Sequence, residues 1–372
     1  MNVRHGFTLL TIAVSAPLAA CSSEDSVGEP KAPPESEWGL AAAPCDIKTP
    51  YDGDDACILA PPADMGMQFH YGPKSYTQEE MDKFLIRPGG EVTDCILFKT
   101  PNETEVYFSE YHSRMRPGSH HMLLYVIDGA DFPDTEEPIS RCNEGLQQRN
   151  LFGAQEAVMD VKRTSEAPEN TGLAVKIGPK QQGIMQLHFY NTGQTDMLKE
   201  AWANLIFADP SNVTQLGDPI FFIGGLGADV QLNQTETFRG RAEVPPSADP
   251  DFRLVIGTGH YHAHTTRFTA WTVIDGQREL LMEDYDYKDP ALLRFDSATE
   301  NPMPSPDSLK AGGRSGPVYL KPGDAIEWEC EVTNHDKPAG LRFGNQVYDA
   351  EMCNMFGMYA PTLGNAWAAA AR

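Results

Sequence analysis

Short apolar runs separated by Gly, Pro, Asn and Asp recur along the chain from residue 60 onward. Runs of this length between turn residues are typical of β-strands, and long helical patterns do not alternate with them. The clearest runs are residues 95–98, 122–127, 184–190, 252–256 and 325–330. The pattern therefore predicts an all-β fold of antiparallel sheets packed face to face.

Helical periodicity is weak, and we expect only two short helices, around residues 77–84 and 146–159. The 372 residues are enough for two domains. The turn sequence Asp209-Pro210-Ser211-Asn212 interrupts the strand pattern near its middle. We therefore predict two tandem antiparallel β-sandwich domains, spanning residues 61–209 and 210–372.

The N-terminal residues have the pattern of an export signal. Arg4 supplies a positive charge, and residues 7–17 form an apolar run that is too short to span a membrane permanently. The run ends at Leu18-Ala19-Ala20-Cys21, which is similar to a bacterial lipobox. We expect residues 1–20 to be a lipoprotein signal peptide and Cys21 to carry lipid; an ordinary secretory signal is the alternative. Residues 21–60 then form a polar tether and a small cysteine clasp.

The charge of the chain limits its partners. Its 53 acidic and 29 basic residues give a net charge of −24. Such a charge repels nucleic acid and anionic lipid, which argues against both as partners. We expect an exported protein held at a bacterial membrane, on its periplasmic or outer side, through the N-terminal lipid only.

Six cysteines remain when Cys21 is set aside, and an even number in an exported chain favours disulfide bonds. They are Cys45, Cys57, Cys95, Cys142, Cys330 and Cys353. Cys45 and Cys57 are close enough in sequence to close a small loop. Spacing alone leaves fifteen connectivities open for six cysteines.

Three histidines at alternate positions, His260, His262 and His264, are the strongest chemical signal. Alternate side chains of an extended strand point to the same face, so up to three imidazoles would share one surface. Imidazole binds zinc, copper, iron and nickel, so the histidines alone do not identify the metal. A hydrogen-bonded polar strand or a pH-sensitive patch is the alternative.

A second set of histidines lies in the first half of the chain. His120 and His121 follow the turn Pro117-Gly118-Ser119, and His188 lies within a predicted strand. Adjacent residues of a regular strand face opposite ways, so both could bind one metal only if the backbone is irregular there. Each is more often a structural histidine, but together they provide three imidazole ligands.

Met352 supplies a clue to the metal. A methionine in an apolar stretch is usually part of the core, but a thioether is a soft ligand that favours Cu(I) over zinc or calcium. Two imidazoles and one thioether would form a site that tolerates both copper oxidation states.

Four motifs that contain these residues resemble those of the copper type II, ascorbate-dependent monooxygenases. That family includes peptidylglycine alpha-hydroxylating monooxygenase and dopamine beta-monooxygenase. The motifs occur in the family's order, with similar separations, over about residues 90–365. They are Ser119-His120-His121-Met122-Leu123-Leu124, Gln186-Leu187-His188-Phe189-Tyr190, His262-Ala263-His264 and Glu351-Met352-Cys353-Asn354. Each motif is weak alone, but the four in order are specific.

The resemblance implies two jelly-roll-like sandwiches with an interdomain copper cleft. It also implies two copper ions per chain, with ascorbate as electron donor. His120, His121 and His188 match the ligands of the copper that relays an electron. His262, His264 and Met352 match the ligands of the other copper, which binds O2 and faces the substrate. We therefore predict that these three residues are catalytic.

Two disulfides are also implied by the resemblance, Cys95–Cys142 and Cys330–Cys353. The second would fix the loop that holds Met352. Cys45–Cys57 is then left as a local pair.

Four further residues are assigned to the surroundings of the metals. Gln186 lies on the same strand face as His188 and is a candidate to orient its imidazole. His260 has no ligand role in the family, and it stands where the peptide-amidating member has an arginine that holds the substrate carboxylate. Phe356 replaces an assisting tyrosine, whereas Asn354 matches the family. A carboxylate clamp without its cation loses a charge-assisted bond, so we predict that this chain does not amidate peptides.

The predicted function is hydroxylation of a C–H bond of a small organic substrate with O2 and a one-electron reductant such as ascorbate. The alternative is a non-catalytic copper-binding lipoprotein on the same fold. A zinc hydrolase with three imidazole ligands is a third hypothesis. It leaves Met352 unexplained, and no glutamate adjoins the histidines as an obvious base.

Overall fold

The structure is a computed structural model that describes residues 43–127, 135, 138–139, 148–225, 227, 229–363 and 367. The predicted signal peptide of residues 1–20, the lipidation site Cys21 and the disulfide partner Cys142 lie outside the described residues. Within the described part, no helix has the length and apolar character needed to cross a membrane.

The first half of the described chain forms one α-helix and a series of strands. The helix is α1 (Gln78–Asp82), and the strands are β1 (Gly66–Tyr71), β2 (Leu85–Ile86), β3 (Glu91–Lys99), β4 (Val106–Met115), β5 (Ser119–Ile127), β6 (Gln148–Ala154), β7 (Val158–Lys162), β8 (Leu173–Ile177), β9 (Gln182–Tyr190), β10 (Met197–Leu198), β11 (Ala201–Phe207) and β12 (Gln215–Leu216). One sheet has the order β1-β11-β4-β8-β12, with β7 also paired to β4, and a second has the order β3-β9-β5-β6. We call these two sheets the first sheet pair.

The second half also forms two large sheets, with a different strand order. They are β13 (Asp218–Gly224), β14 (Asp229–Val230), β15 (Thr235–Glu243), β16 (Arg253–Tyr261), β17 (Thr265–Ile274), β18 (Gln277–Asp284), β19 (Leu293–Arg294), β20 (Gly312–Gly313), β21 (Val318–Tyr319), β22 (Ala325–Thr333), β23 (Leu341–Arg342) and β24 (Cys353–Ala360). One sheet has the order β13-β24-β16-β19, with β21 also paired to β16, and the other has the order β15-β22-β17-β18-β20. These two sheets form the second sheet pair.

Each pair buries an apolar core between its sheets. Leu187 and Phe189 of β9 pack in one cluster with Phe108 of β4 and Leu205 of β11. In the second pair, burial alternates along β22, so that Trp328 faces inward and its acidic neighbours face solvent. Alternation of this kind is expected of an antiparallel sheet with one covered face. The all-β sandwich fold predicted from the sequence is therefore confirmed.

The change from the first pair to the second falls at Gly217 along the chain. Strand β12 lies beyond the predicted boundary between residues 209 and 210, yet it pairs with β8 of the first pair. Strand β13, which begins at Asp218, pairs with β24 of the second pair.

The predicted strands correspond to β3, β5, β9, β16 and β22, although the run at 252–256 begins one residue before β16, and the first predicted helix corresponds to α1. The second predicted helix, at residues 146–159, is wrong. The described part of this segment, from residue 148, forms β6 and the start of β7, which pair with β5 and β4. The Gln, Ala and Glu residues of the segment favour a helix, but β5 and β4 offer free edges for strand pairing. Hydrogen bonding to those edges outweighs the weak helix propensity.

Disulfide bonds join Cys45 to Cys57 and Cys330 to Cys353, as predicted. Cys95 is also disulfide-bonded. Its predicted partner, Cys142, lies outside the described residues. Disulfides persist in oxidising compartments, so these bonds indicate an extracytoplasmic location.

An ion-pair cluster on β4 and β7 makes stability depend on pH. The ring nitrogens of His112 lie 2.8 Å from Asp160 Oδ1 and 2.7 Å from Glu110 Oε1, and Arg114 Nη1 lies 2.6 Å from Asp160. Burial opposes both charges. The hydrogen bonds outweigh it, raising the pKa of His112 above its usual value and lowering that of Asp160 to about 2.

The Asp160→Asn variant is therefore expected to be less stable than wild type by about 1–2 kcal/mol at pH 5. A lowered folded-state pKa stabilises above the unfolded value near 3.8, and this contribution disappears as the pH falls towards 2. The His112 contribution is present below about 6.5 and is lost as the pH rises through the raised folded-state pKa. Urea denaturation at pH 2, 5 and 9 measures this, and an equal difference at all three pH values would contradict it.

Candidate metal centre

The turn before β5 presents two adjacent histidines on one side of the sheet. Gly118 has φ +86°, a conformation that residues other than glycine rarely adopt, and a Cβ there would also crowd Met197 and the carbonyl oxygen of Tyr190, so the turn favours glycine. Ser119 lies opposite Phe189 and His121 opposite His188, with a register shift between them that leaves His120 as the extra residue. This is the backbone irregularity that the sequence required, and bulges of this kind redirect a side chain.

The bulge brings the first three predicted ligands together. The ring centroids of His120, His121 and His188 are 5.2 to 5.3 Å apart, although His188 comes from the neighbouring strand β9. The predicted trio therefore converges on one region of the sheet.

The second histidine motif is divided between a strand and a turn. His260 lies in β16 and His262 just beyond it, and their ring centroids are 5.6 Å apart. The extended strand expected across all three histidines ends at Tyr261. His264 lies in the turn before β17, where its Nε2 is 2.9 Å from Asp336 Oδ1. His264 is thus held by carboxylates instead of lying beside His260 and His262 on a strand face.

Imidazoles from both sheet pairs meet in one cluster. His120 of the first pair lies 5.3 Å, centroid to centroid, from both His260 and His262 of the second pair. His121 lies 5.1 Å from His260. We call His120, His121, His188, His260 and His262 the histidine cluster. The ligand nitrogens of His120, His121 and His260 all lie within 4.8 Å of one another.

Four nitrogens of the histidine cluster are buried without a hydrogen-bond partner among the described residues. They are Nε2 of His120, Nδ1 of His121, Nδ1 of His188 and Nε2 of His262. Each unsatisfied buried polar atom costs about 1–3 kcal/mol, so four in one place require an explanation. A metal ion would satisfy them, because neutral imidazole nitrogens are its usual ligands. The residues present therefore fit a metal of the copper or zinc class.

In three rings of the cluster, those of His188, His260 and His262, one ring nitrogen has a fixed partner. Glu91 Oε1 accepts from His188 Nε2 at 2.9 Å, and Gln155 Oε1 lies 2.7 Å from His260 Nδ1. His262 Nδ1 lies 3.1 Å from the carbonyl oxygen of Ala350. Metal-ligating histidines typically have such partners, which fix the ring orientation and the tautomer.

Glu91 also connects the two sheet pairs. Besides holding His188, its Oε1 accepts a hydrogen bond from the backbone N–H of Val347 at 2.6 Å. Gln186, the sequence candidate for orienting His188, lines a nearby cavity instead. Sequence reasoning missed Glu91 because the two partners are 97 residues apart and their contact depends on the pairing of β3 with β9.

Glu351 organises the turn that carries the second histidine motif. Its side chain is fully buried and accepts from the backbone N–H groups of His262 at 3.2 Å and of His264 at 2.7 Å. It also accepts from Thr265 Oγ1 at 2.9 Å. Sequence analysis missed this role, although the residue stands in a motif that carried the resemblance.

The pKa of His264 is shifted in the opposite direction from those of four histidines of the cluster. Burial, reinforced by neighbouring imidazoles, lowers the pKa values of His120, His121 and His260 well below the usual value. Burial also lowers the pKa of His262. The hydrogen bond that His264 donates to Glu351, with a further one to Asp336, raises the pKa of His264. At neutral pH these four histidines, His120, His121, His260 and His262, are therefore neutral and present lone pairs to a cation.

A cavity of about 470 Å³ adjoins the cluster. Met352 lines it, and its Sδ accepts a hydrogen bond from Asn354 Nδ2 at 3.4 Å. Phe356 stacks on His260 with centroids 4.9 Å apart and an angle of 12° between the ring planes. The cavity is lined by Thr93, His121, Leu123, Tyr125, Arg149, Asn150, Gln186, Pro219, Phe221, Ile223, His260, Phe343, Asn345, Met352, Asn354 and Phe356. The ligand role of Met352 remains a prediction.

Comparison of the chain with protein-family models and with curated proteins found no match. Solved structures that are similar over 79% of the chain include the major capsid protein P2 of bacteriophage PM2, with 11% identity, 97% of that chain covered and a TM-score of 0.29. Another is PNGase F, a glycosylasparaginase from Flavobacterium meningosepticum, with 8% identity, 79% of this chain and 96% of that chain covered, and a TM-score of 0.32. At these values neither similarity carries an argument about the function of this chain.

Proposed function

We propose that the chain is an exported, lipid-anchored copper monooxygenase that hydroxylates a C–H bond of a small organic substrate with O2 and a one-electron reductant such as ascorbate. One observation carries the proposal. Buried imidazole nitrogens without protein partners, contributed by both sheet pairs, converge beside a cavity that also contains a thioether. The ordered motifs of the copper monooxygenase resemblance supply the reaction class.

The donor set suits copper. Imidazole and thioether ligands accept both copper oxidation states, whereas magnesium, calcium and manganese prefer oxygen ligands. By the resemblance, one copper would take His120, His121 and His188. The other would take His262, His264 and Met352, although His264 has carboxylate partners in this structure. Copper supplies the one-electron redox chemistry that O2 activation requires.

The residues around the cavity would position the substrate. Apolar walls from Leu123, Tyr125 and Phe221 exclude water from a bound molecule. Asn354 Oδ1 is buried and lacks a hydrogen-bond partner among the described residues, so it is available to accept from a substrate N–H or O–H group. The volume of about 470 Å³ is within the usual range for small-molecule sites.

Charge in the cavity restricts the substrate class. Arg149 is its one permanently charged side chain among the described lining residues, which include no carboxylate. Its Nη1 lies 4.0 Å from Asp218, so its charge is partly balanced. An ammonium group would find no counter-ion there, and burial of an unpaired charge is costly. We therefore propose a neutral or anionic substrate, with a cationic amine disfavoured.

The test begins with the copper content of the purified protein and continues with O2 uptake under ascorbate. Neutral, anionic and amine substrates of similar size are compared. Substrate-dependent O2 uptake with a hydroxylated product is expected for the first two classes. His262→Ala should lower it by on the order of 100-fold or more, because the variant removes a ligand nitrogen from the centre. His335→Ala, which changes an exposed histidine, is the matched control.

Two negative outcomes have different meanings. Tight copper binding without substrate-dependent O2 uptake would favour the non-catalytic copper-binding lipoprotein, which the single closely spaced histidine cluster would also suit. Failure of the folded protein to bind copper would overturn both functions.

A further inference from the structure

We infer that His260 is a metal ligand that forms a three-imidazole site with His120 and His121, assembled from both sheet pairs. The family resemblance gives His260 no ligand role and implies His188 as the third member instead. The inference rests on the copper binding of the proposed function, but it is independent of monooxygenase activity.

The distances among the three side chains support a shared ion. Their ligand nitrogens lie within 4.8 Å of one another, although His120 and His121 belong to β5 and His260 to β16. A metal–imidazole bond is about 2.0–2.1 Å, so three nitrogens spread around one ion are about 3.3–3.6 Å apart. Ring adjustments of less than about 1 Å therefore complete the site.

The hydrogen bonds of Gln155 fix the tautomer of His260. Gln155 Nε2 donates to the carbonyl oxygen of Gly259 at 3.0 Å, which orients the amide so that Oε1 faces His260 Nδ1 at 2.7 Å. An amide oxygen only accepts, so Nδ1 carries the proton and Nε2 keeps its lone pair. A ligating histidine usually donates its other ring N–H in this way.

The ring of His260 is also fixed in plane. It stacks on Phe356, and in the strand register His260 lies opposite Asn354 of β24. Gln155 belongs to the first sheet pair and His260 to the second. The polar contact that prepares the ligand thus forms only when the two pairs are packed together. A metal held by β5 and β16 would bridge the same two bodies.

Copper titration of the apoprotein tests the inference, with Cu(I) and Cu(II) as the probes and a chromophoric chelator as competitor. The His260→Phe variant keeps an aromatic ring against Phe356 and removes the ligand nitrogen. It should bind one copper per chain on the order of 100-fold more weakly than wild type, and X-ray absorption should show fewer imidazoles per copper. His335→Ala should leave both readouts unchanged.

The second measurement needs no variant. Crystals of copper-loaded wild-type protein, measured at the copper edge, should show an ion about 2.0–2.1 Å from His260 Nε2. A folded His260→Phe protein with wild-type affinity and imidazole count, or an ion distant from that nitrogen, would overturn the inference alone. Absence of copper binding by wild type would instead overturn the proposed function.

Discussion

Replacement of Glu200 by Ala is expected to lower the free energy of unfolding by about 3–5 kcal/mol. Glu200 Oε2 accepts from Arg116 Nε at 2.7 Å, and both side chains are fully buried. Two further donors lie 2.9 Å from Glu200 Oε1, the hydroxyl of Tyr76 and Nε2 of His70. The variant would leave a buried guanidinium without its main counter-charge, and this is among the most destabilising changes in a protein interior.

The same variant should affect metal binding. Arg116 directly precedes the turn that leads to His120 and His121, and its backbone N–H donates to the carbonyl oxygen of Glu200 at 3.0 Å. Arg116 Nη2 also lies 2.8 Å from Asp54 of the cysteine clasp. The buried ion pair therefore anchors the segment that positions two of the cluster imidazoles. A weaker anchor would allow that turn more conformations and lower copper affinity.

Urea denaturation at pH 7 measures the change in stability. Glu103→Ala is the matched control, because Glu103 is 80% exposed in its ion pair with Lys180, and surface pairs contribute about 0–1 kcal/mol. The double variant Arg116→Met/Glu200→Leu should recover part of the loss by removing both charges. A Glu200→Ala protein within about 1 kcal/mol of wild type would show that the pair is solvated or replaceable.

Replacement of His120 by Ala is expected to have the largest effect on copper binding. The His120 ring lies 5.3 Å from each of the other four rings of the histidine cluster. It belongs both to the trio implied by the family resemblance and to the trio inferred with His260. Its loss should weaken copper binding by on the order of 100-fold or more, whichever trio holds the ion.

Copper-dependent stabilisation provides a sensitive readout for this variant. Free copper at 100 times its dissociation constant stabilises a protein by about 2.7 kcal/mol, and a 100-fold weaker site at the same concentration gives about 0.4 kcal/mol. Without copper, the His120→Ala variant should lose less stability than large-to-small variants of core residues. Nε2 of His120 is buried without a partner among the described residues, so its removal also removes an unfavourable contribution. An unchanged copper-induced rise in melting temperature would contradict the central position of His120.

The sequence predicted the strands well because each carries its own local pattern. The sequence also identified His120 and His121 as candidate ligands, provided that the backbone is irregular there. The bulge after the glycine turn supplies that irregularity. The relation of His264 to its neighbours was not predictable from alternation. The buried carboxylate of Glu351, 87 residues away, holds the turn in which His264 lies. Local spacing contains no information about such a distant partner.

The proximity of His260 to His120 was also inaccessible from the sequence. It depends on how the two sheet pairs pack, through contacts such as that of Gln155 with His260, 105 residues apart. The segment around Gln155 shows the same limit, since its composition favours a helix whereas the free edge of β5 draws it into a sheet. The position of His260 beside His120 and the strand conformation before Gln155 were therefore decided by contacts between residues far apart in the sequence.

The bifurcated hydrogen bonding of Glu91 couples the rim of the cavity to the metal centre. One oxygen accepts from His188 and from the backbone of Val347, near the cavity-lining residues Phe343 and Asn345. A displacement of that rim would move the carboxylate and change the orientation of the His188 imidazole. We therefore expect a ligand that binds in the cavity to reorient His188 through Glu91.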